Sequence, residues 1–311
     1  MGKYIVKRLV WLLIIVLAVS VCIFTLMYFT EGDPARSILG PKATEEQIIE
    51  YRDKLGLNDP FGIQLMRFLK KTFLEFDIGQ SYRTNKPVMT EIMERIGYTL
   101  TIATISTSIA TILGIILGVI AAVNQYSWKD NLSIFLSLFC VSLPEFWFAL
   151  MLVSLFAIKL GILPPFGVDS WKGFILPCIS CMVGSTATVA RQTRSSMLNV
   201  IRQDYIITAK AKGQSPNKII TKHALKNALI PIITVVGTTY GMQMGGSVVV
   251  EQIFSIPGVG AYMMSAISFR DYPAVRGGVL VLAVCFSIVI LIVDLIYALV
   301  DPRLKDQYKS A

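Results

Sequence analysis

Six runs of this chain are so long and apolar that few folds can hold them. They are Leu9–Phe29, Leu100–Val123, Leu132–Ile158, Phe174–Val189, Ala228–Val250 and Gly278–Val300. An α-helix rises 1.5 Å per residue, so about 20 residues cross roughly 30 Å of hydrocarbon. Each run has about that length, the fourth only if it continues a few residues past Val189. The sequence therefore predicts an all-α, polytopic membrane protein with six transmembrane helices. Composition agrees. A chain that is 54% hydrophobic and only 16% charged, with a mean hydropathy of +0.63, lies outside the soluble globular range.

The net charge of +9 needs no nucleic acid to explain it, because the basic residues collect in particular loops. With the N-terminus inside, the inner segments carry Lys3, Lys7, Arg8, Lys129, Arg191, Arg194, Arg202, Lys210, Lys212, Lys218, Lys222, Lys226, Arg303, Lys305 and Lys309. The only inner acids are Asp130, Asp204, Asp301 and Asp306. This bias orients both termini to the cytoplasm. The first run is longer than a signal-peptide core and is expected to be a retained helix. Cys22, Cys140, Cys178, Cys181 and Cys285 all fall inside apolar runs. Cys178 and Cys181 form a CxxC without a second ligand pair, and the single histidine, His223, is far away in sequence. The cysteines are read as packing residues, with no metal site and no disulfide framework.

The expected division is residues 1–29, tail and first helix; 30–97, an external helical cap; and 98–311, a five-helix core with a cytoplasmic loop at 191–228. In the cap, Thr44 with Gln47 spells a capping box for a helix ending near Gly56. Asp59-Pro60 starts a second helix whose apolar face is Phe61, Leu65, Phe68, Leu69 and Phe73.

The loop from Asp204 to Pro231 is basic and strongly helical, with one glycine in its middle. Ile206–Lys212 reads as helix and Gly213 as the left-handed residue that ends it. Ser215 is a good N-cap and Pro216 a good first-turn residue for a second short helix. Ile219, Ile220, Ala224 and Leu225 form its apolar side, while Lys218, Lys222 and Lys226 follow another face. Pro231 then marks the entry to the fifth membrane helix. An ordinary positive-inside loop would need no such compact hairpin.

This segment resembles the cytoplasmic coupling motif of ABC-importer permeases, in which Glu-Ala-Ala is followed by three residues, a glycine and, after a spacer, a proline. Here Ala209, Gly213 and Pro231 match, while Ile207 and Thr208 replace the Glu and the first Ala. That departure is common in the dipeptide/oligopeptide/nickel branch, and the chain looks like the first of that branch's two permeases. The supporting pieces run through the chain in family order: Tyr4-Ile5, Lys7-Arg8-Leu9, Gly32-Asp33-Pro34, Asp77-Ile78-Gly79 with Ser81, Asp204-Tyr205, Glu251 with Phe254, Pro257-Gly258 with Gly260, and Asp301-Pro302-Arg303. The resemblance implies the fold of a type I ABC importer permease in a prokaryotic cell membrane. It implies a second homologous permease, two P-loop ATPase subunits and an extracytoplasmic solute-binding protein as partners, besides membrane lipid. The chain has no GxxxxGK[ST], so ATP and Mg are expected on the ATPase subunits and no cofactor on this chain. Thr208, Ala209, Gly213, Ser215, Pro216, Lys218, Ile219, Lys222, His223 and Pro231 are the expected coupling residues.

Pathway residues are less sharply marked. Gly237, Gly241 and Gly245, spaced by four, let another helix approach closely, either within the bundle or at a seam with the second permease. Gly114 and Gly118 repeat the pattern more weakly. Thr234, Thr238, Gln243 and Ser247 give the fifth helix polar positions. Glu145, after Pro144, lies near the centre of the third run. A charge there costs about 2.5–3.5 kcal/mol, so it either faces a cavity as a contact for a cationic group or belongs to a helix that starts deeper. Asp294 is expected to pair with a nearby basic residue. Glu251 to Gly260, with Phe254, Pro257 and Gly258, reads as an outer gate or as a plain re-entrant connector.

The function expected from all this is ATP-driven import by a non-catalytic permease subunit. Short peptides are the expected cargo, and nickel or a metal chelate is the second reading within the same architecture. An ion-gradient-driven transporter is the alternative of a different class; it would leave the Gly213 hairpin unexplained. A membrane-embedded enzyme would need clustered His, Asp, Ser or metal ligands that the sequence lacks.

Overall fold

The computed structural model describes residues 2–30, 32–40 and 42–300, with side chains described for 6–30, 32–40 and 42–296. Asp301-Pro302-Arg303 and the side chains of Tyr4-Ile5 lie outside the described residues. Among those residues the fold is all helical; the one β-bridge joins Gln80 to Pro87. The order is α1 (Gly2–Phe29), α2 (Pro34–Leu39), α3 (Glu45–Leu55), α4 (Phe61–Leu74), α5 (Val88–Val123), α6 (Trp128–Ser142), α7 (Glu145–Leu152), α8 (Ile175–Ile201), α9 (Asp204–Ala211), α10 (Pro216–Lys218), α11 (Lys226–Gly246), α12 (Val248–Ile253), α13 (Val259–Ser268) and α14 (Tyr272–Val300). A π-helical segment, Val153–Lys159, prolongs α7, and another, Ile219–Leu225, joins α10 to α11.

Among the described residues, five helices are long and apolar enough to cross a membrane, and six if one bent pair counts as a single span. The third apolar run is the exception. It is not one straight helix but α6 and α7, bent by 95° at Leu143-Pro144. The residue before a proline is pushed out of the helical region, and Leu143 is extended, with φ −75° and ψ 124°. Several spans also run past the apolar residues that announced them. α5 begins at Val88, so its first turns belong to what reads as the external loop.

The chain divides into two compact units. One holds Leu100–Ile256 and the stretch from Ile288. Here α5 meets α8 through Gly114 and Gly118. A methyl on Gly118 would fall 2.6 Å from the Ala190 carbonyl oxygen and 2.5 Å from Thr193 Cβ; on Gly114 it would fall 2.7 Å from Val189 Cβ. These glycines, the weaker pattern in the sequence, make the close approach. The fifth-helix glycines differ in what they meet within this chain. Gly237 packs on Val293 of α14, while Gly245 faces open space.

The other unit joins Gly2–Thr99 to Pro257–Ser287. The capping box is present: Thr44 accepts from Gln47 N, and Gln47 accepts from Thr44 N at 3.0 Å. Gly56 caps the helix in the left-handed region, with φ +66°. Phe68 is buried on the expected face of α4 and stacks on Phe24 of α1, ring centroids 5.4 Å apart. The family-like positions are local scaffolding. Asp33 caps α2 through Ala35 N at 2.9 Å. Ser81 donates to the buried Asp271 at 2.5 Å, and Asp271 also accepts from Tyr82 N at 3.1 Å.

Candidate functional site

The Asp204–Pro231 segment is a helical hairpin, though not quite the one its residues predict. Asp204 opens α9 with an acid at the positive end of the helix dipole. Gly213 ends it at φ +70°. Gly213 N donates to the Lys210 carbonyl at 3.0 Å and Gln214 N to the Ala209 carbonyl at 3.3 Å, the paired bonds of a Schellman cap. Pro216 then takes the first position of α10, after an extended Ser215 whose side chain makes no capping bond. The second helix does not stop. It passes through the π-helical segment into α11, so Pro216–Gly246 forms a single span. Pro231, expected at the entry of the membrane helix, lies inside it.

Side-chain bonds close the corner. His223 Nε2 and Gln214 Oε1 are 2.7 Å apart. Asn227 Nδ2 donates to the Tyr205 hydroxyl at 3.0 Å and to the His223 carbonyl at 2.9 Å. Below them Ile206, Ala209, Ile219, Ala224, Ala228 and Ile232 are buried in one cluster with Ala122 of α5 and Val189 and Met197 of α8. Each of the buried isoleucines Ile206, Ile219 and Ile232 contributes about 1.5–3 kcal/mol, so the hairpin is anchored to the bundle. Its other face is exposed: Ile207, Thr208, Lys212, Gly213, Ser215, Pro216, Lys218 and Lys222. Of the expected coupling residues, Ala209 and Ile219 thus serve the core, His223 the corner, and the rest, Pro231 apart, the free face.

Beside the hairpin, Arg194 of α8 grips Asp130 of α6 by Nε to Oδ1 at 2.5 Å and Nη2 to Oδ2 at 2.7 Å. Asp130 is 1% exposed and also accepts from Tyr126 N at 3.0 Å. Sequence reasoning counted both residues only as loop charges. Nothing in either residue's neighbourhood signals a partner 64 positions away.

The pathway positions fall differently from expectation. Gln243 is buried; its Nε2 donates to the Cys181 carbonyl at 2.8 Å and Ser185 Oγ at 2.6 Å, and Ser106 donates to its Oε1. Its polar atoms tie α11 to α8 and α5. Ser247, Glu251 and Phe254 are likewise buried, with Ser247 Oγ 3.2 Å from Glu251 Oε1. Thr234 is exposed and Thr238 half-buried, each bonded to its own helix backbone. Pro257 is exposed and Gly258 buried. Glu145 is not mid-helix. It is the exposed first residue of α7, just after the bend, with its carboxyl in hydrogen-bond contact with the Cys181 thiol of α8.

Comparison with known proteins decides the lineage. Residues 114–306 match the model of the binding-protein-dependent transport system inner membrane component, and residues 1–103 match the N-terminal model of the same kind of membrane component. The chain belongs to this family. Among curated relatives, the dipeptide transport system permease protein of Alkalihalophilus pseudofirmus is 40% identical, covering 98% of this chain and all of its own length. The glutathione transport system permease protein of Escherichia coli K12 is 37% identical over 98% of this chain and 99% of its own. Among solved structures, the inward-facing methionine ABC transporter MetNI superposes with a TM-score of 0.57 at 18% identity, over 68% of this chain and 97% of that one. The fold is therefore that of a type I ABC importer permease, and the chain is a multi-pass membrane component of a binding-protein-dependent importer.

Proposed function

We propose that this chain forms half of the translocation pathway of an ATP-driven importer of short peptides, and that it receives force through the hairpin at Gly213. The observation that carries the reading is the hairpin itself: an exposed, basic face mounted on a buried cluster shared with α5 and α8. A membrane protein gains nothing by anchoring a free surface so firmly unless something pushes on it. P-loop ATPase subunits would dock there. A second permease would complete the pathway, and a solute-binding protein would deliver cargo on the opposite side. Both termini would then lie in the cytoplasm, in keeping with the charge bias of the loops. The relatives' names support a peptide cargo.

The test is reconstitution of the chain with its co-purifying subunits in proteoliposomes, followed by uptake of a labelled dipeptide. Uptake that needs ATP and a binding protein, and survives an ionophore, is the expected result. Uptake that ignores ATP and collapses with the ion gradient would sink the proposal. ATP-dependent uptake of nickel in place of dipeptide would keep the machine and replace the cargo.

A further inference from the structure

The second unit contains a cavity of 780 Å³. Its walls include the last turns of α1 (Phe24, Met27, Tyr28), parts of α3 and α4, and the first turns of α14. Two of the spans long and apolar enough to cross a membrane, Val6–Phe29 and Tyr272–Ile296, therefore end at this cavity. That places it at the rim of the hydrocarbon, where headgroups lie.

Its charge is unbalanced. Arg52, Lys54, Arg67, Lys71 and Arg276 line it against Asp33 and Asp77. Arg52 pairs with Asp33 at 3.4 Å, and Arg67 with Asp59 at 2.5 Å. Asp77 accepts from Gly79 N at 2.8 Å. Lys54 rests over the Tyr51 ring. Among the described residues, neither Arg276 nor Lys71 forms an ion pair; the buried Asp271 attracts Arg276 from beyond pairing distance while its oxygens accept from Ser81 and Tyr82 N. The half-buried Arg276 guanidinium lies over Phe68 at 4.8 Å and Phe24 at 5.3 Å, and its Nε donates to the Tyr272 carbonyl at 3.3 Å. Burial raises the neighbouring Tyr82 phenol above its ordinary range, which keeps it a neutral donor.

An arginine placed over two rings, its one hydrogen bond among the described residues made by Nε, leaves its terminal nitrogens for two-pronged recognition of a phosphate. The same rings offer an apolar wall. We propose that this cavity holds the headgroup of an anionic phospholipid, its phosphate on Arg276 and Lys71 and its chains against the α1 and α4 aromatics. A free anion would use the charge but not the aromatic wall. A soluble partner's carboxylate would likewise use the charge but leave the aromatic wall unfilled.

The chain and its accompanying subunits would be placed in nanodiscs of phosphatidylcholine doped with phosphatidylglycerol, and retained lipid measured by native mass spectrometry. Phosphatidylglycerol should be enriched over its bulk fraction. Arg276→Met, which keeps the stacking volume, should lower that enrichment by roughly tenfold or more, since the two-pronged contact carries two charged hydrogen bonds. Lys71→Gln, at an exposed position, should lower it by a smaller factor, and this variant alone decides if Arg276→Met fails to assemble. Inorganic phosphate should not displace the lipid. The proposal is overturned by no enrichment, or by enrichment unchanged in the variants. Displacement by inorganic phosphate, which would mark a free-anion site, also overturns it. So does a Lys71→Gln variant that alters stimulation by the binding protein while lipid retention stays the same, which would mark a protein contact.

Discussion

Gly213 offers the sharpest test of the hairpin, because its surroundings isolate one physical cause. Its φ of +70° is a conformation that side chains disfavour, yet a methyl built on it meets nothing within 4 Å. Any cost of substitution is therefore backbone strain and not a clash. For an ordinary L-residue the left-handed conformation costs roughly 1–2 kcal/mol, with a β-branched residue at the upper end and asparagine near the lower. Escaping the strain would give up both bonds of the Schellman cap and the Gln214–His223 bond, each worth about 0.5–1.5 kcal/mol. The two costs are comparable, so Gly213→Val should keep the corner only part of the time. A loss of 1–2 kcal/mol shifts that balance by a factor of about 5–30. In proteoliposomes, uptake per ATP hydrolysed should fall several-fold in Gly213→Val, less in Gly213→Ala, and little in Gly213→Asn. Normal transport by the valine variant would refute the assignment of this corner to coupling. Equal damage by asparagine and valine would refute the backbone argument, since only bulk at a docking face would then matter.

Four further outcomes follow from buried contacts. Arg194→Met should strand the buried Asp130 carboxylate and lower detergent stability by about 3–5 kcal/mol, and adding Asp130→Asn should recover part of it; a melting series of the three variants checks this. Gly118→Ala should cost about 1–3 kcal/mol, because the Ala190 carbonyl is backbone and yields little, whereas Gly245→Ala should fall within about 0.5 kcal/mol of wild type in the same melts. Gln243→Leu should destabilise by about 1–3 kcal/mol through its abandoned partners; lost uptake at unchanged stability would return Gln243 to the pathway. Pro231→Ala should restore a hydrogen bond inside α11 and raise thermal stability, and if a soft joint is needed there, uptake per ATP should drop.

The helical architecture was legible because apolar length and local punctuation are written in consecutive residues. Thr44 with Gln47 and the terminal Gly56 spelled α3, and Gly213, Ser215 and Pro216 spelled the corner. Continuity was harder to read. Pro144 and Pro231 look equally disruptive in sequence, yet the first coincides with a 95° bend and the second sits inside an unbroken helix. Polar residues on the membrane helices are ambiguous for a related reason. Gln243 and Ser247 look like pathway residues, but a buried amide can equally satisfy a neighbouring helix, and its partners at Ser106, Cys181 and Ser185 are set by packing alone. The Asp130–Arg194 pair and the Ser81–Asp271 bond were invisible for the same cause, since each joins residues that only the fold brings together.

On the proposed docking, force applied to the free face of the hairpin has two routes into the bundle. One is lateral: Ile206, Ala209 and Ile219 press on Ala122, Val189 and Met197 in a close-packed cluster, and such interiors transmit displacement with little compression. The other is axial, along Pro216–Gly246, which carries Thr234 and Thr238 as its polar positions. The two routes differ in stiffness. The lateral one is braced by Gly118 against Ala190 and by the two-pronged Arg194–Asp130 grip, which ties α6 to α8. The axial one contains a π-helical segment and an internal proline, both of which weaken the regular bond ladder. On that docking, a push at the hairpin would move α5 and α8 as a block, while the Pro216–Gly246 span would bend at Ile219–Pro231 and let its upper half lag. The proposed displacement is this relative motion and not a rigid tilt of the whole bundle.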